Sequence, residues 1–545
     1  MIRGALTLLL ALAIGLGMMG TAWPQDQAAA IEELRKEMRE LRQEVNRKQK
    51  KIEALENRLD AVQKTISASA AKEPVKATST KTEPTTPQAA LDQALQAVQG
   101  PKAEKARAEA AKPQEALDQA VKTVQAPQEQ ASRPALWSYK AGGATLRLID
   151  ISLDALIAGG SSTATDRQLQ NGLQGGGHDP RKRGFTVQNV ELSLTGAVDP
   201  YFNAETHIIY FLDPATGESR FELEEAFLTT QKLPWKMQFK GGQFFTEFGR
   251  INPTHPHAWH WLDQPVINTR LFGPDGMRGP GMRMSWLTPL PWYSQLYFGM
   301  QNANGETMSS FMSNSELASE RCIGGYPFTD RPVKALKDMT YLARVENSWN
   351  LTETVTTKLG FSGVYGPNYT GPRGDTWIYG ADLKVKWRPA KNYQGWPFLL
   401  LESEIMKRLY RADRTFFQAG DPEAGTPDSF IPGQNLRDWG FYAQLLWGFY
   451  PRWAFGVRGE YASGGGNNIS FDPFTETAQI VSRNTDPFRD NRTRISPLLV
   501  FHPSEFSRLR LQYNCDWASH LPGGTAHTVW TGVEFLYGAH PTHKY

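Results

Sequence analysis

The stretch Trp377-Ile378-Tyr379-Gly380-Ala381-Asp382-Leu383-Lys384-Val385-Lys386-Trp387-Arg388 divides cleanly by parity. Trp377, Tyr379, Ala381, Leu383, Val385 and Trp387 fall on one side, and Asp382, Lys384, Lys386 and Arg388 on the other. Successive side chains of a strand point to opposite faces, so this segment carries one apolar and one charged face. Upstream, Val355, Leu359, Phe361 and Tyr365 repeat the apolar face with Lys358 opposite; downstream, Leu509, Leu511 and Tyr513 repeat it against Arg508, Arg510 and Gln512.

Such segments recur from about residue 143 onward. Short joints connect alternate pairs: Val198-Asp199-Pro200-Tyr201, Lys232-Leu233-Pro234-Trp235, Pro289-Leu290-Pro291-Trp292, Trp349-Asn350-Leu351-Thr352, Tyr450-Pro451-Arg452-Trp453 and His502-Pro503-Ser504-Glu505. Long polar stretches connect the others, over 159–183, 246–277, 303–337, 412–435 and 463–490. A soluble sandwich has no reason to gather its long connections at one end, whereas a barrel whose rims face two compartments does. The pattern predicts an all-β transmembrane barrel over 134–545 with about 16 antiparallel strands. Strand centres fall near 150, 191, 206, 226, 240, 284, 297, 344, 360, 382, 403, 443, 457, 497, 511 and 532. An even number returns both ends of the barrel to the short-turn, periplasmic side. Trp235, Trp292, Trp349, Trp387, Trp396 and Trp453 all flank short joints and read as an aromatic girdle at that rim. Gly532-Val533-Glu534-Phe535-Leu536-Tyr537 resembles the terminal-strand signal of barrel assembly, although the chain continues to Tyr545.

The same parity assigns lumen charges. Lys236, Lys240, Arg344, Lys358, Lys384, Lys386, Arg388, Arg458, Arg508 and Arg510 face inward, against Glu222, Glu224, Glu346, Asp382, Glu460 and Glu534. Polar inward faces imply water inside and argue against an apolar lumen of the fatty-acid-channel kind. Basic residues lead modestly, which predicts a weak anion preference.

The chain average of 40% hydrophobic residues and net charge +3 conceals three regions ahead of the barrel. Residues 1–22, with Arg3, an apolar run from Ala5 to Met19 and Gly20-Thr21-Ala22, read as a secretory signal cut after Ala22. From 31 to 66, Ile31, Leu34, Met38, Leu41, Val45, Lys48, Ile52, Leu55, Leu59, Val62 and Ile66 keep a three-four spacing, the stripe of a self-associating coiled coil. Its mixed core residues do not separate dimer from trimer. Residues 67–133 are rich in Ala, Gln, Lys and Pro, with Pro87-Gln88-Ala89-Ala90-Leu91-Asp92-Gln93-Ala94 recurring as Pro113-Gln114-Glu115-Ala116-Leu117-Asp118-Gln119-Ala120. That composition reads as a spacer, with peptidoglycan contact through its lysines as an open alternative.

The loop after the fifth strand concentrates chemistry: Glu247, Arg250, His255, His257, His260, Asp263 and Arg270. By order it is the third outward loop, the one that folds into the lumen of sixteen-stranded porins, so these residues are expected to line or brace a constriction. The three closely spaced histidines also allow a zinc or copper site, though spacing alone does not commit them to metal. Cys322 and Cys515 both fall near the outer rim, where pairing is chemically open.

The secreted coiled coil, spacer and barrel, with Glu224-Glu225-Ala226-Phe227 before Lys240-Gly241-Gly242-Gln243-Phe244, resemble the phosphate-selective porin family. The resemblance implies a trimer, anions held by lumen arginines and lysines, and no cofactor; no arginine-ladder motif is matched, so specific arginines are not carried over. His255-Pro256-His257 through Arg270 also resembles barrels labelled zinc-regulated TonB-dependent receptors. Such receptors need a folded plug and more strands than this chain supplies. No Ser, His and acid constellation on one strand edge argues for an enzyme. The expected protein is therefore an outer-membrane porin in lipid, self-associated, passing small anions or polar solutes, with no cofactor and no nucleic acid. A metal-binding or metal-uptake barrel built on His255, His257 and His260, and a tether from outer membrane to cell wall, are the two alternatives.

Overall fold

In the computed structural model, residues 137–141, 144–417, 429–472 and 477–538 are described. The signal segment, coiled coil and spacer expected over 1–22, 31–66 and 67–133 lie outside the described residues. Sixteen strands run antiparallel around one closed sheet: β1 (Ala144–Ser162), β2 (Gly184–Ala197), β3 (Phe202–Leu212), β4 (Ser219–Thr230), β5 (Met237–Phe245), β6 (Arg278–Leu287), β7 (Tyr293–Asn302) and β8 (Met339–Asn350). They continue as β9 (Val355–Pro367), β10 (Asp375–Trp387), β11 (Phe398–Ala412), β12 (Gln434–Tyr450), β13 (Trp453–Gly465), β14 (Arg492–Ser504), β15 (Ser507–Ala518) and β16 (Thr525–Gly538). Every predicted strand centre lies inside one of them. Closure is made by β1, which pairs with β2 on one side and with β16 on the other, Leu156 opposite Glu534. A leading strand, Trp137–Ala141, folds back on the start of β1. No described helix is long and apolar enough to cross a membrane.

The parity rule sorts the wall as the sequence predicts. Phe361, Trp377, Tyr379, Leu509, Leu511 and Tyr513 are exposed on the outside, while Asp382, Arg508, Arg510 and Gln512 are buried on the inside. So large an apolar band would be untenable in water and marks the surface that meets lipid. Trp235, Trp292 and Trp387 stand exposed at the short-turn rim. Trp396 departs from the girdle: it packs against an interior cluster of Trp261, Phe398, Leu400, Leu446, Ala454, Leu498 and Val500. The turn it occupies is long enough to fold back into the barrel mouth. Cys322 and Cys515 are unpaired thiols, the first exposed and the second buried.

The lumen differs from the water-filled interior expected. The third loop, L3 (246–277), enters it and carries α1 (Val266–Phe272), all of whose residues are buried. Val266, Ile267, Leu271 and Phe272 pack with Met308, Phe311 and Met312 of the fourth loop, L4 (303–338), against inward Leu342, Val364, Ile378, Met406 and Tyr442 of β8 to β12. The inner wall is thus apolar where α1 lies on it, over β8 to β12, and charged over β13 to β16. The helix starts against a carboxylate, the Val266 amide donating to Glu460 Oε2 at 2.6 Å, where negative charge offsets the exposed amide dipoles. It ends at Gly273, whose φ of 85° a side chain would resist. A second apolar group, Leu156, Leu262, Ala518, Ala526 and Trp530 with Ala164, Leu169 and Leu173, seats the first loop, L1 (163–183), over the same lumen.

Candidate functional site in the barrel lumen

The strands β13 to β16 hold L3 with a ladder of charged side chains. Asp263 accepts from Arg458, from Arg494 Nη1 at 3.0 Å, from Gln512 Nε2 at 2.8 Å and from Asn514 Nδ2 at 2.7 Å. Burial opposes its charge, but the two guanidinium groups outweigh that cost and draw the carboxyl down to about 2. Arg508 donates to the carbonyls of His257 at 2.9 Å and Trp259 at 3.0 Å, and Arg510 to those of Trp259 and Trp261, each at 3.1 Å. Both arginines also bind Glu534, Arg508 at 2.7 Å. Trp261 donates its indole proton to the Ser496 carbonyl at 2.9 Å, and the Leu262 amide donates to Gln512 Oε1 at 2.7 Å.

This changes the meaning of several predicted lumen charges. Arg344 is bound by Asp382 at 2.5 Å, and Arg458 by Asp263 and by Glu460 at 2.7 Å. Arg344 thus ties wall strand to wall strand, and Arg458, Arg508 and Arg510 hold loop and wall together, rather than standing free in a water-filled bore. Lys236 and Arg388 sit just beyond strand ends at the exposed short-turn rim. The charges that retain solvent access are Lys240, Lys358, Lys384, Lys386 and Glu346 of the wall strands, with Glu247 and Arg250 of L3 itself. Lys358 pairs with Glu346 and Lys384 with Glu402, each at 2.9 Å. Among the described residues Lys386 has no carboxylate within ion-pair distance, and its ammonium lies 6.0 Å from the Phe398 ring centre. Glu247 is gripped by Arg283 at 2.8 Å, and Arg250 reaches Glu402 at 3.2 Å. Arg270 is enclosed among loops, donating to Gln174 at 3.1 Å and to the Asp490 carbonyl at 2.8 Å.

The three loop histidines do not converge. His260 turns to β11, its Nε2 3.4 Å from Glu402 Oε2, and burial lowers its affinity for a proton despite that carboxylate. His255 and His257 turn instead to β2, β3 and β4. His257 Nδ1 lies 2.9 Å from Glu191 Oε2. His255 Nε2 meets Glu225 Oε2 at 2.7 Å, while its Nδ1 lies 2.8 Å from Glu224 Oε2 and 3.2 Å from Glu191 Oε1. His207 completes the group, Nδ1 2.8 Å from Glu191 Oε1, its ring 4.4 Å from that of His255. Burial works against a charge on His255, yet Glu191 and Glu224 hold its imidazolium well above the usual histidine range. His257 is raised in the same way, against burial, chiefly by Glu191.

Glu191 and His207 were not singled out from sequence, and Glu225 entered there only within the stretch that carries the family resemblance, not as a site residue. Glu224 and Glu225 are adjacent, so strict alternation would drive one of them into lipid. The register between β3 and β4 shifts at His207/Ile208, leaving Glu224 without a partner across the ladder and turning both carboxylates inward. A second shift, at Leu156/Ile157 opposite β2, leaves Gln188 unpaired in the ladder. The β4–β5 ladder covers only Ala226–Thr229, so the wall is locally irregular where L3 departs from it. Two neighbouring acids in a lipid-facing strand are themselves a signal, because a charged side chain on the lipid face costs about 2–4 kcal/mol at mid-depth for a base and less for an acid.

A closed sixteen-stranded transmembrane barrel with an inward-folded third loop is the class of protein these features define. No family model matches the chain. Among curated proteins it is similar to an uncharacterized protein of Aquifex aeolicus (strain VF5), 27% identical over 386 residues, covering 68% of this chain and 73% of the relative. Among solved structures it is similar to the outer membrane channel DcaP of Acinetobacter baumannii, at 10% identity and TM-score 0.42, covering 74% of this chain and 100% of that one. The anion-selective porin from Comamonas acidovorans matches at 8% identity and TM-score 0.40, covering 71% of this chain and 100% of that one.

Proposed function

We propose that the chain is an outer-membrane channel through which small hydrophilic solutes diffuse passively, with a weak preference for anions. The observation that carries the reading is L3 lying across the lumen of a closed barrel, with a vestibule lined by lysines of the wall strands. Glu247, Arg250, His255, His257 and His260 form the narrow level, and Asp263 and Arg270 brace it. Lys240, Lys358, Lys384 and Lys386 give the vestibule its sign; the preference is weak because Glu247, Glu346 and Glu402 answer most of them. The coiled coil over 31–66 joins copies of the chain, a trimer on the porin resemblance, with the short-turn rim and the N-terminal segment in the periplasm.

Planar-bilayer recording of the purified full chain tests this. Stepwise conductance is expected, with a reversal potential in a potassium chloride gradient that favours chloride. Cation selectivity would overturn the sign assigned to the vestibule, and a barrel that inserts without conducting would overturn the channel.

A further inference from the structure

The cluster around His255 is built differently from the rest of the lumen. Elsewhere buried acids such as Asp382, Asp438, Asp516 and Glu534 meet a guanidinium with directed hydrogen bonds. Here ligand atoms of Glu191, His207 and His255 all lie within 4.8 Å of one another. His255 Nδ1 approaches two carboxylate oxygens at 2.8 and 3.2 Å, yet among the described residues it makes no hydrogen bond, because neither approach has the required direction. Donor and acceptor atoms that point at a common centre rather than at each other produce this geometry.

The orphaned atoms agree. Glu224 is fully buried, and neither of its oxygens has a hydrogen-bond partner among the described residues. Asp154 of β1, only 2% exposed, is in the same condition. Buried carboxylates without hydrogen bonds are strongly unfavourable unless a positive charge faces them; His255 Nδ1, 2.8 Å away, faces Glu224 in the metal-free chain, and a bound cation would take that place. On the far side of His255, Nε2 is held by Glu225 at 2.7 Å. A carboxylate on one ring nitrogen fixes the tautomer and frees the other nitrogen to bind a cation. The ladder shift at Glu224 is what delivers Glu224 and Glu225 to opposite sides of that ring.

We infer that Glu191, His207, His255 and Glu224 bind one divalent transition-metal ion of the zinc class, with Glu225 orienting His255. Two imidazoles and two carboxylates form a borderline nitrogen and oxygen set, suited to a four-coordinate ion and poorly suited to magnesium or calcium. The set differs from a trio of loop histidines: His260 is excluded, and the wall strands β2, β3 and β4 supply the remaining ligands. Such an ion ties the near end of L3 to β2–β4, as Asp263 ties its far end to β13–β15. It would fasten the loop rather than travel through the bore.

The test uses the purified full chain in detergent, stripped with chelator and titrated with zinc chloride by calorimetry. One tight site per chain is expected. His255→Ala and His207→Ala abolish it, Glu225→Gln weakens it about 10- to 100-fold, and His260→Ala leaves it unchanged. Folding of each variant is read from the gel shift between heated and unheated barrel. X-ray absorption on the zinc-loaded parent needs no variant, and should show imidazole nitrogens at about 2.0–2.1 Å. An absence of stoichiometric zinc binding, a first shell of oxygen alone, or undiminished affinity in folded His255→Ala would overturn the site. Conductance is measured separately, so a channel without zinc and zinc binding without a channel are distinguishable results.

Discussion

Replacing Asp263 with Asn should unfasten the far end of L3 and open the lumen. The substitution keeps the shape of the side chain but removes its charge and one acceptor oxygen, leaving Arg458 with Glu460 and Arg494 with Asp516 as their remaining carboxylates and neither tied to the loop through a carboxylate at residue 263. Two routes give the magnitude. Truncating one partner of a buried ion pair costs about 3–5 kcal/mol. The fall of the Asp263 carboxyl from 3.8 to about 2 corresponds to about 2 kcal/mol in favour of the charged form. The ratio of docked to undocked loop should therefore drop by about 30-fold to a few thousandfold. Arg508 and Arg510 still grip the His257, Trp259 and Trp261 carbonyls, so the loop is expected to flicker rather than leave. Single-channel recording should show larger and noisier openings, and limited proteolysis should find new cuts within 246–277. Parent-like conductance together with a parent-like cleavage pattern, in a barrel that keeps its heat-dependent gel shift, would refute the claim that Asp263 anchors the loop.

The same carboxylate sets a pH window. Its folded-state value is depressed, so its contribution is complete above about pH 4 and is lost as pH falls from there through about 2; openings should be stable on mild acidification and enlarge only in strong acid. Trp261→Ala removes a fully buried indole and its bond to Ser496, and should cost about 3–5 kcal/mol in denaturant titration of the barrel. Lys386→Glu should move the reversal potential toward cation selectivity while leaving the unfolding midpoint near that of the parent, because among the described residues this lysine has no carboxylate in ion-pair distance. Leu511→Arg places a charge at mid-depth on the lipid face and should destabilise the barrel by about 2–4 kcal/mol, read from its unfolding in lipid vesicles.

Strand order, register parity and the position of the long loops were legible in the sequence because lipid outside imposes a period of two on every strand. What the inward face did with its charges was not. Arg458, Arg508 and Arg510 share a parity with Lys384 and Lys386, and alternation cannot tell a guanidinium holding a carbonyl from an ammonium facing water. Inward Leu342, Val364, Ile378 and Met406 were equally opaque, since they read as ordinary barrel residues until L3 lies on them. His255, His257 and His260 were found as a group but divided by the fold, because a turn of chain between prolines and tryptophans sends neighbouring rings to opposite walls. Glu225 was missed for a sharper reason: one inserted residue in β4 suspends the parity rule at the place where two carboxylates are needed on one face.

The anchors of L3 also impose an order on assembly. The loop follows β5, but Arg458, Arg494, Arg508, Arg510, Gln512, Asn514 and Glu534 belong to β13, β14, β15 and β16. During translocation the loop reaches the membrane long before any of these groups exist in folded form, and its carbonyls and Asp263 have nothing to dock on. Seam closure between β1 and β16 joins positions as distant as Ser152 and Gly538, so wall and plug are completed by the same last strands. A barrel truncated before β13 would be open at its seam and would hold L3 only through the apolar packing of α1 on β8 to β12, so the wall is sealed and the loop fully anchored by the same last strands.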